Sequence, residues 1–510
     1  MSQPNPQPDF SYLIKNKNIK LSEHQNNAIQ RMINRRTITL AFQPGLGKTL
    51  TSLVAGTYFV NKYPEKAVVV IFSPKSARNA FLKELSTKLQ VDFAFYNADK
   101  NIEYIDQKYI VIEHTVVEKY IDFIKELSKT KRIVAIVDEA HFLRAAGSKL
   151  TNIMKDLSGF FTVLYLLTAT PLGNDFQELY TFMSFMDPKI PNWFQFRNYY
   201  CKVYAHNIKM KNKRGVIINR RIFDIVDYKN IEQLKKYISN YMIFGSKSYN
   251  INHEIIYVQL DEYLRQPYID AAKGMLDSEK KVENFNYEFT DEAKAFGGRL
   301  HDLQRIVDNC QEEYAREAPS NKERALLSLL KRISDRNESA LVFVLYDDSV
   351  ERMTKLLEHY KTKIGMEKIH VLSGKTKEDD RATIETTLKE KEVVIITQAG
   401  RQSRNLQRAS NIIYYDQSFS TSDYIQIMGR ITRTDTKYQN LHSYVICVKD
   451  TIDEYKKKIF EDNAWIIKEI FGNYGNAIPL CLHKIDRMNS KKLKNDFLWK
   501  FTTESFKNFR

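Results

Sequence analysis

AFQPGLGKTLTSLVAG, Ala41 to Gly56, is the stretch that decides the fold. The apolar run Ile38 to Phe42 reads as a strand, Gly45 and Gly47 bracket Leu46 in a tight turn, and from Lys48 the apolar spacing becomes helical. A chain that leaves a strand through glycines and enters a helix aims several backbone N–H groups, and the positive end of the helix, at one spot. That spot suits a phosphate chain. The glycines let the backbone come close, Lys48 offers an ammonium to the β- and γ-phosphates of ATP, and the Thr49 hydroxyl is placed to ligate Mg²⁺. A plain strand-to-helix turn is the ordinary alternative, and the neighbouring sequence decides between them.

Further along, IVAIVDEAH (Ile133 to His141) puts Asp138 and Glu139 at the end of an apolar strand, where open α/β sheets carry their ligands. Asp138 is placed to hold Mg²⁺ and Glu139 to polarise the water that attacks the γ-phosphate. Adjacent carboxylates at a strand end are otherwise often a helix cap; beside a phosphate loop, hydrolysis is the better reading. Around these motifs, strand-length runs (Val68 to Phe72, Tyr109 to Ile112, Val163 to Leu167) alternate with helix-period segments, which predicts a parallel sheet covered on both faces. The rhythm returns at Ala340 to Val344, Ile369 to Leu372, Val393 to Thr397, Asn411 to Tyr415 and Ser443 to Cys447. Between the two α/β domains, roughly residues 176–320 read as long, polar and mostly helical.

Composition excludes other classes. Lysine and arginine number 78 against 62 acidic residues, a net charge of +16, and hydrophobic residues make up 43%, which is a folded multidomain chain and not a disordered one. No apolar run approaches the roughly 20 residues that span a bilayer. The MSQPNPQPDF start lacks a signal-peptide pattern, and the four separated cysteines favour a reducing compartment without zinc. An intracellular, soluble protein of cytoplasm or nucleus is expected. The surplus charge invites a polyanion, and its distribution says where. From Arg197 to Arg221 there are eight basic residues, among them Lys209, Lys211, Lys213 and Arg214, no acidic one, and interleaved tyrosines. Such stretches are as often solvated faces as phosphate-tracking ones.

In order from about residue 20 to 470, these motifs resemble those of superfamily-two helicases of the DEAH type, and in particular the SWI/SNF-like DNA translocases in a compact phage- or virus-type form. LSEHQ (Leu21 to Gln25) resembles the upstream glutamine motif, implying adenine recognition by Gln25. SPKSARNAFLKEL (Ser73 to Leu85), DEAHFLRAAGSKL (Asp138 to Leu150) and LLTATPLGNDFQELYTFMSF (Leu166 to Phe185) match successive motifs, and HDLQRIVDN (His301 to Asn309) resembles a connector helix of the family. In the second half LSGKTKEDDR (Leu372 to Arg381), QAGRQSRNL (Gln398 to Leu406) and QIMGRITR (Gln426 to Arg433) follow in family order.

The resemblance implies two RecA-like P-loop motor domains with a helical insertion and connector. It implies Arg430 and Arg433 as arginine fingers, Gln426 as an ATP-side contact, and Thr168 and Thr170 as residues coupling ATP state to nucleic acid. Nucleic-acid contacts are expected from Pro74, Asn79, His114, Ser373, Gly374, Thr397 and Asn405, largely to phosphates. The expected layout is a flexible leader (1–19), a first motor domain (20–250) with a basic helical insertion from about 176, a helical connector (251–320), a second motor domain (321–475) and a basic tail (476–510). Where the family carries an acidic pair before the phosphate loop, this chain has Phe42, Gln43 and Pro44, and Thr434 to Thr436 replace the usual Ile-Gly-Gln after Arg433. The function expected is ATP-driven translocation with Mg²⁺ on DNA in preference to RNA. The alternatives are an RNA helicase or transcript-release factor, and a nucleic-acid clamp with an inactive ATP site.

Overall fold

The structure is a computed structural model that describes residues 8–471 except 76, 97–106, 172–175, 212–216, 246–248, 273–299, 311–315, 398–405, 419–420 and 433–435. Among the described residues, two all-parallel sheets form the frame. The first holds β1 (Thr37–Phe42), β2 (Ala67–Ser73), β3 (Ala94–Tyr96), β4 (Tyr109–Glu113), β5 (Arg132–Val137) and β6 (Val163–Leu167). With β9 (Met242–Gly245) they lie in the order β3-β4-β2-β5-β6-β1-β9. The second runs β10 (Asn250–Val258), β15 (Asn440–Val448), β14 (Asn411–Tyr414), β11 (Ala340–Phe343), β13 (Glu392–Ile396), β12 (Lys368–Leu372). The central strands β2, β4 and β6 are buried along their whole length, as continuous Val/Ile/Leu runs covered on both faces require.

Strand order is what assembles the site. β6 lies between β1 and β5, with Leu40 opposite Leu167 and Val137 opposite Leu166. The segments after Phe42, Val137 and Leu167, distant in sequence, therefore leave the sheet side by side at its carboxyl edge. In the second lobe β11 sits between β13 and β14 in the same manner.

The lobes share an apolar core. One cluster runs from Val70 and Phe72 through Leu234 and Ile238 to Phe343, Tyr414, Phe460 and Ile470. Each such side chain withdrawn from water contributes about 1.5–3 kcal/mol. The last described helix, Ile452–Phe471, packs against the first-lobe helix Ile231–Ser239, with Lys235 Nζ 3.9 Å from Glu469 Oε1.

Three features differ from the sequence reading. The leader is not loose from Phe10 onward: Phe10, Leu13 and Ile14 are buried, and the Phe10 N–H donates to Asn26 Oδ1 at 2.8 Å. The basic insertion is not helical where its charge lies, since Cys201–Lys211 and Ile217–Tyr228 form an antiparallel ribbon, β7 and β8. Paired only with each other, these strands alternate over short stretches only, such as Cys201, Val203 and Ala205 against Lys202 and Tyr204, a run too short and too basic in its continuation to read as a strand. The connector also begins as a strand, because β10 pairs in parallel with β15 at the edge of the second sheet. Its residues are at most half-buried, so again little apolar period was on offer. Residues 262–272 and 300–307 are helical, as expected. The basic tail lies outside the described residues.

Candidate ATP-hydrolysis site between the lobes

The loop after β1 is held in shape from below. Gly45 and Gly47 take φ values of 85° and 77°, a left-handed backbone that a side chain would strain. Gly47 has a second reason to be glycine: a Cβ there would come within 2.5 Å of the Gln25 side-chain amide nitrogen. Gln25 is the third residue of the helix Glu23–Ile33, and its Oε1 accepts from the Ser22 N–H and hydroxyl, each at 3.0 Å. The residue expected to recognise adenine thus also closes a capping box and rests on the phosphate loop. Beside it His24 Nε2 lies 3.3 Å from the carbonyl oxygen of the buried Leu46.

Lys48 opens the helix Lys48–Lys62, and its ammonium donates to the Phe42 carbonyl oxygen at 2.9 Å. It spans the mouth of the loop, where a phosphate oxygen would compete for it. Thr49 follows, half-buried, at the first turn.

Asp138 is buried, with its N–H donating to the Phe72 carbonyl at 2.8 Å. Burial pushes its carboxyl up, the Glu139 charge pushes the same way and Lys48 pulls back, leaving it at about 7. Glu139 has a left-handed backbone, φ 47°, unusual for a residue with a side chain and costing about 1–3 kcal/mol. The turn swings its carboxylate to His141, whose Nδ1 is 3.0 Å from Glu139 Oε2. Burial acts to raise Glu139 too, but His141, then Lys48 and Arg430, outweigh it and hold the carboxyl at about 2. The two neighbouring acids are therefore driven apart: one ionised, the other short of a cation. A buried carboxyl of this kind beside a phosphate loop has the chemistry to share a divalent cation with phosphate oxygens, since Mg²⁺ takes one or two carboxylates and keeps its remaining places for water and substrate.

Arg430 belongs to the second lobe. It is buried, follows the helix Thr421–Met428, and its charge reaches Glu139 across the cleft. Gln426 is half-buried on the same helix. Two further contacts join the lobes here. Ser422 Oγ donates to Thr170 Oγ1 at 2.9 Å, and Gly429 comes so near Pro44 that a Cβ would be 2.4 Å from its Cγ. Thr170 is tied back in turn: its N–H donates to Thr168 Oγ1 at 2.9 Å, and its carbonyl accepts from Arg144 Nη1 at 3.0 Å. Sequence reasoning did not find Ser422, Arg144 or His141 as partners: Ser422 meets Thr170 only across the cleft, while Arg144 and His141 act within the first lobe, where the Arg and His of DEAHFLR were the available signal.

The expected nucleic-acid residues scatter more. Pro74 and exposed Asn79 flank the turn after β2, with the Pro74 carbonyl capping Ala77 and Arg78. Glu113, in the segment beside them, is buried and ion-paired with Arg78. His114 does not stand free. Its ring packs edge-on to Phe142 at 5.9 Å, Phe142 in turn lies 4.3 Å from His141, and burial pushes the His114 imidazole down to about 4. In the second lobe the Ser373 hydroxyl accepts from the Lys375 N–H, Arg381 clamps the Ser373 and Gly374 carbonyls, Gly374 is exposed and Thr397 is buried. Lys209 and Lys211 belong to β7. Arg433, Asn405, Lys213 and Arg214 lie outside the described residues.

A phosphate loop and acid pair on one parallel-sheet lobe, completed by an arginine from a second, define a two-lobed P-loop ATP hydrolase of the helicase type. The SNF2-related domain matches residues 24–309, more than half of the chain, and the helicase conserved C-terminal domain matches residues 321–435. The chain belongs to the SNF2-related, SWI/SNF-like family of ATP-dependent helicases. It is 23% identical over 509 residues to the ATP-dependent helicase YqhH of Bacillus subtilis, a match covering 94% of this chain and 84% of that protein. With the chromatin structure-remodeling complex subunit snf21 of Schizosaccharomyces pombe it shares 22% identity over 85% of this chain but only 38% of the relative. The Sulfolobus solfataricus SWI2/SNF2 ATPase core in complex with dsDNA is similar at 17% identity, covering 91% of this chain and 95% of that one, with a TM-score of 0.38. Among the described residues, no helix is long and apolar enough to cross a membrane.

Proposed function

We propose that the chain is a DNA-dependent ATPase that steps along duplex or branched DNA, favouring DNA over RNA. The observation that carries this reading is the seam at the site: Ser422 of the second lobe donates to Thr170 of the first at 2.9 Å, and Gly429 sits against Pro44 of the phosphate loop with buried Arg430 beside it. Groups that act only when a cleft is shut convert nucleotide turnover into opening and closing, and a polymer held by both lobes is thereby moved.

In this reading Gly45, Leu46 and Gly47 present backbone N–H groups to the phosphates, and Lys48 exchanges the Phe42 carbonyl for a phosphate oxygen. Thr49 and Asp138 hold Mg²⁺, which when bound supplies charge stabilisation at the phosphate oxygens. Glu139, ionised and oriented by His141, takes the proton of the attacking water. Arg430 and Arg433 face the charge that develops on the transferred group, and Gln25 and Gln426 border the nucleotide. Thr168 and Thr170 sit where a change at the γ-phosphate reaches Ser422. Pro74, Asn79, Ser373, Gly374, Thr397 and Asn405 flank the track. His114 acts behind it, through Phe142 and the DEAH turn. A clamp with an inactive ATP site is disfavoured, because Lys48, Asp138, Glu139 and Arg430 are assembled together.

The test is ATP turnover with duplex DNA, branched DNA, single-stranded DNA and RNA, each with and without Mg²⁺. Stimulation by DNA that disappears in Lys48→Ala is expected; stimulation by RNA alone would overturn the preference, and wild-type turnover in the Lys48 variant would overturn the site.

A further inference from the structure

The feature the motor does not use is the root of the β7–β8 ribbon. The helix Trp193–Tyr200 turns Phe196 into the core, where it packs on Phe176, Tyr180 and Tyr200, and leaves Phe194 and Tyr199 outside. Of the large apolar side chains exposed among the described residues, Phe194 (61%), Tyr199 (53%), Tyr204 (55%) and Phe223 (39%) share this one segment. Tyr204 pairs with Asp224 and so faces the other side of the ribbon from Phe223, which leaves Phe194 and Phe223 as the exposed rings gathered around Arg197; exposed rings gathered in this way mark a binding surface.

Its internal order narrows the choice. The Arg197 guanidinium lies over two rings, 5.6 Å from Phe194 and 4.7 Å from Phe223, and Arg221 lies over Phe223 at 5.5 Å. Two rings and two cations thus form one cluster in which Phe194 and Arg221 are open to solvent. The register supports it: Phe223 faces Ala205 and Arg221 faces Asn207 across the ribbon, two residues apart on β8 and so on one side of it.

The charge is the second observation. Arg197 is only 6% exposed, and its Nε and Nη2 donate to Asn198 Oδ1 at 3.2 and 3.0 Å. Among the described residues no carboxylate pairs with it. A buried cation without a counter-ion is costly unless something supplies one. Arg197 to Arg221 contains no acidic residue; Asp224 follows Phe223 on β8, and Lys202 is bound to Asp227 at 3.1 Å. A partner that suits exposed rings set among arginines is an anion with flat apolar faces attached.

We propose that this cluster is a platform for unpaired bases, on which a single-stranded segment of nucleic acid lays a base against the open Phe194 ring, backed by Arg197 and Phe223, while its phosphates neutralise the exposed Arg221. Base–aromatic stacking of this kind tolerates any sequence, and guanidinium layers extend it. The inference rests on the proposed action on DNA and makes it specific: the preferred substrate is a duplex with a single-stranded arm, held at the ribbon while the motor grips the duplex.

The experiment uses the full chain and a junction carrying 2-aminopurine at successive positions of its single-stranded arm, without ATP. Wild type quenches the fluorescence at one or two positions; Phe194→Leu with Phe223→Leu, which keeps apolar bulk but removes both rings, abolishes the quench. The same variant lowers the ratio of single-stranded to duplex affinity by about 5- to 100-fold. Arg221→Gln leaves the quench but flattens the salt dependence of arm binding. A thermal melt checks that the variants fold. If the quench survives ring removal, or the affinity ratio is unchanged, the platform is overturned, as it is if the rings serve only a protein partner. Failure of DNA to stimulate wild-type turnover would instead overturn the motor reading, and the two outcomes are read separately.

Discussion

Two clusters of charge in this molecule use similar residue types to opposite ends. In the cleft, Lys48, Asp138, Glu139, His141 and Arg430 meet from both lobes. In the second lobe, Lys322 is fully buried with Asp308 at 2.8 Å, Asp453 at 2.9 Å and Asp416 at 3.7 Å, over the Tyr415 ring. Gln304 links the three aspartates, and its Oε1 accepts from Lys456 at 2.7 Å. Backbone donors complete the shell, the Leu345 N–H on Asp416 and the Val448 N–H on Asp453. Burial pushes the Lys322 ammonium down, yet the three aspartates carry it well above its ordinary range, while burial and Asp308 push Asp416 well up. The second cluster is closed by protein groups: Lys322 answers Asp308 and Asp453, and Asp416, pushed well up, leans to its neutral form beside Gln304 and the Leu345 N–H. In the cleft Lys48 donates to a backbone carbonyl and Asp138 is left at about 7. Charge enclosed by protein groups fastens a fold, here the connector residue Asp308 to the second lobe; charge gathered at a phosphate loop between two lobes is placed for a ligand.

That contrast can be broken by substitution. The largest effect is expected from Glu139→Gln, which removes the base but keeps the shape: ATP turnover falls by about 10²- to 10⁴-fold with nucleotide binding and melting temperature retained. Lys322→Met should do the reverse. Removing the cation strands the carboxylates it answers, so the free energy of unfolding in urea drops by about 3–5 kcal/mol; a variant as stable as wild type would erase the distinction. The smallest effect belongs to the seam between the lobes. Ser422→Ala deletes one hydrogen bond to Thr170, worth about 0.5–1.5 kcal/mol, and is expected to weaken nucleic-acid stimulation of turnover a few-fold with basal turnover less affected.

The sequence was most legible where physics is local. The phosphate loop needs glycines, a lysine and a helix start within a few residues, and β1, β2, β4, β5 and β6 each carry an apolar run bounded by turns, so both the loop and the first sheet could be read directly. The second sheet followed from the same signal at β11, β12, β13, β14 and β15. Illegible were edge and ribbon strands, whose stability comes from pairing rather than burial: β9 has four residues, β10 alternates only between exposed and half-buried, and β7 and β8 pair only with each other. Cross-lobe partners such as Ser422 with Thr170 were equally hidden, since 252 positions separate them and a single hydroxyl has no pattern. His114, expected among the nucleic-acid contacts, is half-buried with its ring edge-on to Phe142, a neighbour of the DEAH box that no pattern in the sequence placed beside it.

The approach of Pro44 to Gly429 constrains how related chains can diverge. Pro44 stands in the stretch that departs from the family pattern, and Gly429 in the QIMGRITR segment approaches its ring too closely for any Cβ. A proline ring cannot swing aside as a long side chain would. Losing the ring alone would not make room, since Pro44 Cβ is itself 2.8 Å from a Cβ placed at 429: a lineage that acquires a side chain at 429 shuts its cleft only if the backbone at 44 draws back as well, so glycine at 429 is the condition for this close approach of the lobes.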